Sequence, residues 1–300
     1  MRVTRVHYQP FLSATAKGAQ IWRYIPECRR PRHFHAEPEI NLVVAGRARF
    51  GVGEAVITLC PGHLLAFPPG QDHVLLDASA DLDLFSFSLA PEVSGEALGR
   101  DAAGVIAGPL RLRLAPDRLA LLARRCAEAW QESASAMASA VADIWDVANR
   151  LRDTGTKVHV LTRRTLEHVA RTPDIRHRDL ARLLRTSPEE ASRRFRADTG
   201  MTIGGYRSRV RLLGFIRLMD QGLKHSDAAA ASGFGSYSQC HRVFRDVVGC
   251  SPRTFFGNGL RRSMEAAYEP LVLPTRAHEI AVGDELTNDF DCQTSPIRQH

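Results

Sequence analysis

Across residues 174–256 the chain runs twice through one short grammar, a helix, a tight turn and a second, arginine-bearing helix ending at glycine. Such a repeat constrains this stretch to an all-helical domain built from two like units. In the first unit Leu180, Leu183 and Leu184 share a helical face, and Thr186-Ser187-Pro188-Glu189-Glu190 starts the next helix. Ser187 is placed to cap its amides, Pro188 is preset for its first position, and Glu190 completes a capping box three residues after the cap. That second helix is expected over 188–198, with Ala191 and Phe195 inward, Glu189, Ser192, Arg193 and Arg196 on the opposite side, and Gly200 as its stop. The second unit begins with a helix over 226–232 whose Ala228 to Ala231 run supplies little apolar area. Gly233-Phe234 makes the turn, and Ser236 caps a helix over 237–247. Cys240, Phe244 and Val247 face inward there, and Ser238, Gln239, Arg242 and Arg245 outward. Gly249 ends it.

Between the units, residues 202–221 read as one amphipathic helix with Ile203, Tyr206, Val210, Leu213 and Leu218 on its apolar side. Charge is partitioned in the same way. Residues 157–262 carry 21 Lys+Arg and 9 Asp+Glu, a net +12, against 17 and 17 in residues 1–156 and 2 and 7 in residues 263–300. The positive excess is therefore confined to the segment holding the tandem units, as contacts to nucleic-acid phosphates require.

Leu180-Ala181, Ser187-Pro188, Arg193, Phe195, Gly200, Arg209-x-Arg211-Leu212, Gly233-Phe234, Arg242, Phe244, Gly249 and Ser251-Pro252 together resemble the DNA-binding domain of AraC/XylS-type transcription regulators. The resemblance spans about 100 residues and implies two helix-turn-helix units whose reading helices enter successive major grooves, about 34–36 Å apart. On that pattern Glu189, Ser192 and Arg193 face one groove and Tyr237, Ser238, Gln239 and Arg242 the next, while Arg196 and Arg245 suit phosphate. Departures are Ala228, Cys240 and the Gly214-Phe215-Ile216 run. Each small residue forgoes about 1.5–3 kcal/mol relative to a buried Leu or Ile, so the second unit is expected to be the less rigid.

The N-terminal half is different in kind. Residues 21–87 alternate short β-branched and aromatic runs with Gly and Pro turns, which suggests a small β-barrel or sandwich. Within it stand His33-x-His35-x3-Glu39, with six residues between Glu39 and Gly46, and Gly62-x5-Pro68-x-Gly70-x2-His73. These resemble the two signatures of a cupin barrel, apart from Asp77, and imply that His33, His35, Glu39 and His73 converge inside it. Alternate strand residues share a face, which brings the first three to one side. The set suits a divalent metal, Fe(II), Mn(II), Ni(II) or Zn(II). It equally suits the polar lining of a pocket for a small organic effector, and Arg29, Arg30 and Arg32 either attract an anionic one or form a solvated turn.

Residues 116–152 have helical spacing, with Leu119, Leu122, Cys126 and Trp130, then Val141, Ile144, Trp145 and Ala148. That apolar face serves a dimer seam or packs on its own barrel. Six cysteines without a CxxC pair read as reduced thiols. No apolar run reaches bilayer-spanning length and residues 1–5 lack a signal segment, so a cytoplasmic location without a membrane partner is expected. The expected architecture is two-domain α+β: a cupin-like effector-binding barrel (1–115), a helical dimerisation segment and hinge (116–156), a DNA-binding domain (157–262) and an acidic, disordered tail (263–300). The implied function is a ligand-responsive, non-enzymatic regulator that binds double-stranded DNA as a homodimer, with RNA polymerase as a candidate partner. The alternative is a cupin metalloenzyme, of dioxygenase or isomerase type, fused to a DNA-binding domain.

Overall fold

The computed structural model describes residues 6–10, 18–24, 30–89, 110–131, 139–144, 146–147 and 158–257. Strands β1 (His7–Tyr8), β2 (Ala19–Arg23), β3 (His33–Phe34), β4 (Glu39–Ala45), β5 (Ala48–Val52), β6 (Ala55–Leu59), β7 (His63–Phe67), β8 (His73–Ala78), β9 (Asp83–Leu89) and β10 (Leu110–Arg113) form two five-stranded sheets. Their orders are β1-β3-β8-β5-β6 and β10-β7-β4-β9-β2. All pairings are antiparallel except that of β1 with β3.

The second sheet is apolar on both faces, and the period of two decides what each face meets. Val43, Leu65 and Phe67 join Ala48, Phe50, Val52, Leu59 and Leu84 between the sheets. Their neighbours Ile40, Leu42, Leu64 and Ala66 point the other way, onto helix α1 (Pro116–Gln131) and residues 139–144. Leu119, Leu122, Cys126 and Ala129 of α1, with Ala140, Val141 and Ile144, are buried in that cluster. The apolar face read as a dimer seam is thus covered by the chain's own barrel. Two exposed rows of β4 and β7 would have cost more than an open helix face, and each side chain buried there contributes about 1.5–3 kcal/mol.

The helical half comprises α2 (Val160–Arg171), α3 (His177–Leu184), α4 (Pro188–Thr199), α5 (Ile203–Asp220), α6 (His225–Ala231), α7 (Tyr237–Val248) and α8 (Pro252–Gly257). Ser187 accepts from the Glu190 amide and Ser236 from that of Gln239, while Gly200 and Gly249 close α4 and α7 with left-handed φ of 67° and 90°. Glu190 does not complete the capping box. Its carboxylate is taken by Arg193 and Arg194, two cations against one amide, which also hold its pKa below the usual carboxylate value.

The apolar face of α5 differs from the one read in the sequence. Ile203 and Tyr206 enter the core of the first unit with Leu166, Val169, Leu180, Leu184, Ala191 and Phe195. Leu212, Phe215 and Ile216 enter the core of the second with Ala228, Ala229, Phe234, Cys240, Phe244 and Phe255. Val210, Leu213 and Leu218 are only partly buried. One helix serves two cores on different sides, so no single stripe describes it. Phe234 and the interlocking rings of Phe215, Phe244, Phe255 and Phe256, at 5.0–6.1 Å, fill the space beside small Ala228 and Cys240. Tyr8 and Phe34 of the N-terminal half complete that core.

The halves are docked. Arg209 on α5 donates to Asp72 at 2.5 Å and to the Gly70 carbonyl at 3.1 Å. Gln71 donates to the Thr199 carbonyl at 3.1 Å, and Glu54 pairs with Arg196. Arg32, read as part of a basic turn, is bonded to Asp72 at 2.7 Å and to the Gly53 carbonyl. Cys60 is disulfide-bonded, which corrects the reading of six reduced thiols, and its partner lies outside the described residues. Among the described residues no helix is long and apolar enough to cross a membrane. Trp145, Ala148, the hinge at 153–157 and the tail at 263–300 also lie outside them.

Candidate functional site

His33, His35, Glu39 and His73 are all buried, with ligand atoms within 4.8 Å of one another. Their elements differ from the single-strand picture. His33 is on β3, His35 follows it, Glu39 opens β4 after a turn, and His73 opens β8, paired directly with His33. The β3–β4 turn carries Glu39 back over the imidazoles.

Each imidazole is pinned by its outer nitrogen. Nδ1 of His33 lies 2.8 Å from the Pro31 carbonyl, that of His35 2.8 Å from the Glu37 carbonyl, and that of His73 3.1 Å from the Gln71 carbonyl. A carbonyl only accepts, so each Nδ1 carries the hydrogen and each Nε2 turns inward, as second-shell bonds of metal-bound histidines arrange. Glu39 Oε2 is 2.8 Å from His35 Nε2 and 3.1 Å from His73 Nε2. His73 Nε2 nevertheless makes no hydrogen bond. The other carboxylate oxygen receives Asn41 Nδ2 at 2.8 Å, and Asn41 is in turn held by Ser86 at 2.7 Å. Phe67 stacks on His73 at 4.3 Å.

The electrostatics follow from this crowding. Burial, with the charges of His73, His35 and Arg30, holds His33 well below its ordinary pKa against the opposing pull of Glu39. Burial alone would also lower His35, but the hydrogen bond and charge of Glu39, helped by Glu37, raise it. Burial would raise Glu39, and the two histidines beside it instead hold it well below the carboxylate range. Three imidazole nitrogens and one carboxylate oxygen at this separation fit a divalent transition metal. Asn41 and Ser86 were missed in the sequence, although Asn41, two residues beyond Glu39 on one strand, necessarily shares its face.

On the helical half, Glu189 and Arg193 are exposed on α4, and Arg193 is bonded to Glu190 at 2.6 Å. Ser192 is turned back to the Pro188 carbonyl and His177. Arg193, Arg196, Ser192, His177 and Arg207 line a cleft of about 460 Å³ together with the start of α5. On α7, Ser238, Arg242 and Arg245 are exposed and Tyr237 is half-buried, while Gln239 accepts from the Gly235 amide. Arg196, expected to meet phosphate, meets Glu54.

Residues 180–258 match the helix-turn-helix domain family, of AraC type, and residues 20–82 match the cupin domain family. The chain thus joins an AraC-type helix-turn-helix domain to an N-terminal cupin domain. That pairing of a DNA-binding C-terminal domain with an N-terminal cupin domain is the make-up of a ligand-responsive transcription regulator. No curated protein matches it in sequence. Among solved structures it is similar to ToxT from Vibrio cholerae O395 bound to (E)-4-(8-methylnaphthalen-1-yl)but-3-enoic acid, at 13% identity over 79% of this chain and 97% of that one, TM-score 0.42. The C-terminal domain of AraT, a response regulator from Geobacillus stearothermophilus, is 18% identical over 42% and 98%, TM-score 0.32. A putative mannose-6-phosphate isomerase from Ralstonia eutropha JMP134 is 22% identical over 27% and 81%, TM-score 0.23.

Proposed function

We propose that the ligand sensed by this regulator is a divalent transition-metal ion, held by His33, His35, Glu39 and His73. The observation that carries the reading is the bonding of all three Nδ1 atoms outward to backbone carbonyls, which leaves the inner nitrogens gathered with the Glu39 carboxylate within 4.8 Å and His73 Nε2 without a hydrogen bond. When bound, the ion supplies a cross-link among β3, β4 and β8. Asn41 and Ser86 orient Glu39 for it.

The DNA-facing residues in this reading are Glu189, Ser192 and Arg193 on α4 and Tyr237, Ser238, Gln239 and Arg242 on α7, with Arg196 and Arg245 on phosphate. Residues 157–262, at +12, supply the attraction. The regulator acts without catalysis, in the cytoplasm, as a homodimer on paired half-sites with RNA polymerase as a partner. The buried face of α1 is spent on the barrel.

Elemental analysis of protein purified under reducing conditions and reconstituted with each of the four ions tests the metal assignment. One ion per chain, lost in His33→Ala/His35→Ala, is the expected result. Protein that remains metal-free in every reconstitution overturns it and returns the effector to an organic class. Turnover of a small substrate by the loaded protein would favour the metalloenzyme alternative, which the same four ligands keep in view.

A further inference from the structure

Strand β10 is an edge of the second sheet among the described residues, and its side chains divide between two faces. Leu112 is buried in the cluster with α1, so Arg111 and Arg113 face the other way, as alternation requires. On the paired strand β7, Leu64 and Ala66 also meet α1, which puts His63 on the same face as the two arginines. The register sets Arg113 directly opposite His63 and Arg111 diagonal to it, at Cβ separations of about 5 Å and about 7–8 Å. His63 and Arg111 are half-buried and Arg113 is exposed, so solutes reach the group from the sheet edge. At the far end of β7, Phe67 stacks on His73, which places this group about 13 Å along the strand from the four-histidine cluster.

The Cys60 amide donates to His63 Nδ1 at 2.8 Å, and an amide nitrogen only donates, so Nδ1 is bare and the hydrogen of the neutral ring sits on Nε2. Burial and the charges of Arg111 and Arg113 hold the pKa of His63 down to about 4, which keeps the ring neutral at pH 7. Among the described residues neither guanidinium has a hydrogen-bond or ion-pair partner, and no carboxylate counters them at His63. The excess is local, because residues 1–156 carry 17 basic and 17 acidic side chains. Two like charges on one face of a short strand repel, and a bound anion relieves the repulsion.

We propose that His63, Arg111 and Arg113 form a second ligand site in the N-terminal half, one that binds a phosphate group as a dianion. Charge and donor count select that class. Two guanidinium charges balance the two negative charges of phosphate or of a phosphate monoester, and two arginine forks with the His63 Nε2–H serve its three terminal oxygens. A carboxylate would neutralise one guanidinium and leave the other uncompensated. Leu65, opposite Arg111 on the same face, is fully buried against protein, so the rest of an esterified ligand extends outward from the sheet edge. The site shares no residue with the four-histidine cluster and stands whether or not that cluster holds metal.

The test uses the full chain at about pH 8, where a phosphate monoester is a dianion, in about 200 mM sodium chloride to screen loose ion pairing. Calorimetric titrations with inorganic phosphate, phenyl phosphate and acetate are run on the parent chain, Arg111→Gln, Arg113→Gln and Arg49→Gln. Arg49 is an exposed arginine on the other sheet and controls for the loss of one charge. Phosphate held by arginines of the helical half is untouched by these substitutions, so the differences between variants report this site. Inorganic phosphate should bind at one site per chain that weakens at least about tenfold in Arg111→Gln and in Arg113→Gln, as loss of a charged hydrogen-bond partner predicts, and that survives in Arg49→Gln. In the parent chain it should also move the His63 Nε2 resonance, a reading that decides the question even where a variant fails to fold. Phenyl phosphate bound equally well assigns the site to phosphate monoesters and its rejection assigns it to the free ion; either supports the site. Acetate bound as tightly as phosphate overturns the dianion assignment. A His63 resonance that phosphate leaves in place, or a phosphate affinity that both arginine variants leave unchanged, overturns the site itself.

Discussion

Gly53 and Gly200 meet backbone to backbone where the barrel touches the end of α4, and this contact can be tested without disturbing either core. A Cβ on Gly200 would lie 2.5 Å from the Glu54 amide nitrogen and 2.9 Å from Gly53 Cα, about 0.9 Å inside the 3.4 Å at which ordinary contact begins. Both obstacles are backbone, so neither can rotate away. Gly200→Ala therefore carries two penalties, the left-handed φ of 67° and the overlap, and the second can be relieved only by parting the halves. Gly222→Ala isolates the first. Gly222 has φ 85° and nothing within 4 Å of its missing Cβ. An alanine held in the left-handed region costs about 1–2 kcal/mol, and that is all Gly222→Ala should lose in urea unfolding. Gly200→Ala should lose at least about 1 kcal/mol more, in the range of a disrupted packed contact, and should show a larger radius of gyration. Equal losses in the two variants, with unchanged dimensions, would refute docking at this contact.

Duplex affinity should fall by orders of magnitude between roughly 50 and 200 mM salt, since a +12 segment displaces counterions, and a flat titration would show that the charge lies off the interface. Arg242→Ala should cost about 1–3 kcal/mol on the operator if Arg242 reads a base, and a loss of equal size on random DNA would reassign it to phosphate. Burial pushes the Cys126 and Cys240 thiols up to about 12, so both should resist a thiolate-specific reagent at pH 8 until the protein unfolds; prompt labelling would contradict the packing. His63 has its pKa lowered to about 4 by burial and by Arg111 and Arg113, and its Nδ1 accepts the Cys60 amide hydrogen. The unfolded state therefore binds the proton first, stability falls as pH drops from about 6.5 toward 4, and His63→Gln should flatten that slope in urea midpoints.

Local signals were legible where chemistry is local. Ser187, Ser236, Gly200 and Gly249 start and stop their helices as capping and left-handed φ dictate, and the histidine spacing points to one cluster. What escaped the sequence were choices between partners that local patterns leave equal. Glu190 could serve an amide or two arginines, and took the arginines because a charged pair outweighs a neutral amide. The face of α1 could meet a second copy or its own barrel, and the double-sided apolar rows of β4 and β7 decided for the barrel. The stripe on α5 was misplaced because an amphipathic reading assumes one core, whereas this helix turns between two.

The same ambiguity explains why the docking surface was invisible. Arg32 reads as part of a basic turn, and no local pattern singles out Glu54, Asp72 or Phe34. Alternation already required Phe34 to leave the barrel on the side away from His33 and His35, and an aromatic there must be covered by something. The coverage it found is the aromatic core of the second helix-turn-helix unit, beside the small residues Ala228 and Cys240 that suggested a loosely packed unit. That core and the barrel strand are thus each completed by the other. The expectation of a softer second unit is better stated conditionally: that unit is well packed while the barrel is docked, and loses Tyr8 and Phe34 from its core when the halves part. Hydrogen exchange on α7, slow in the docked form and faster once the barrel is released, is the observable in which that condition appears.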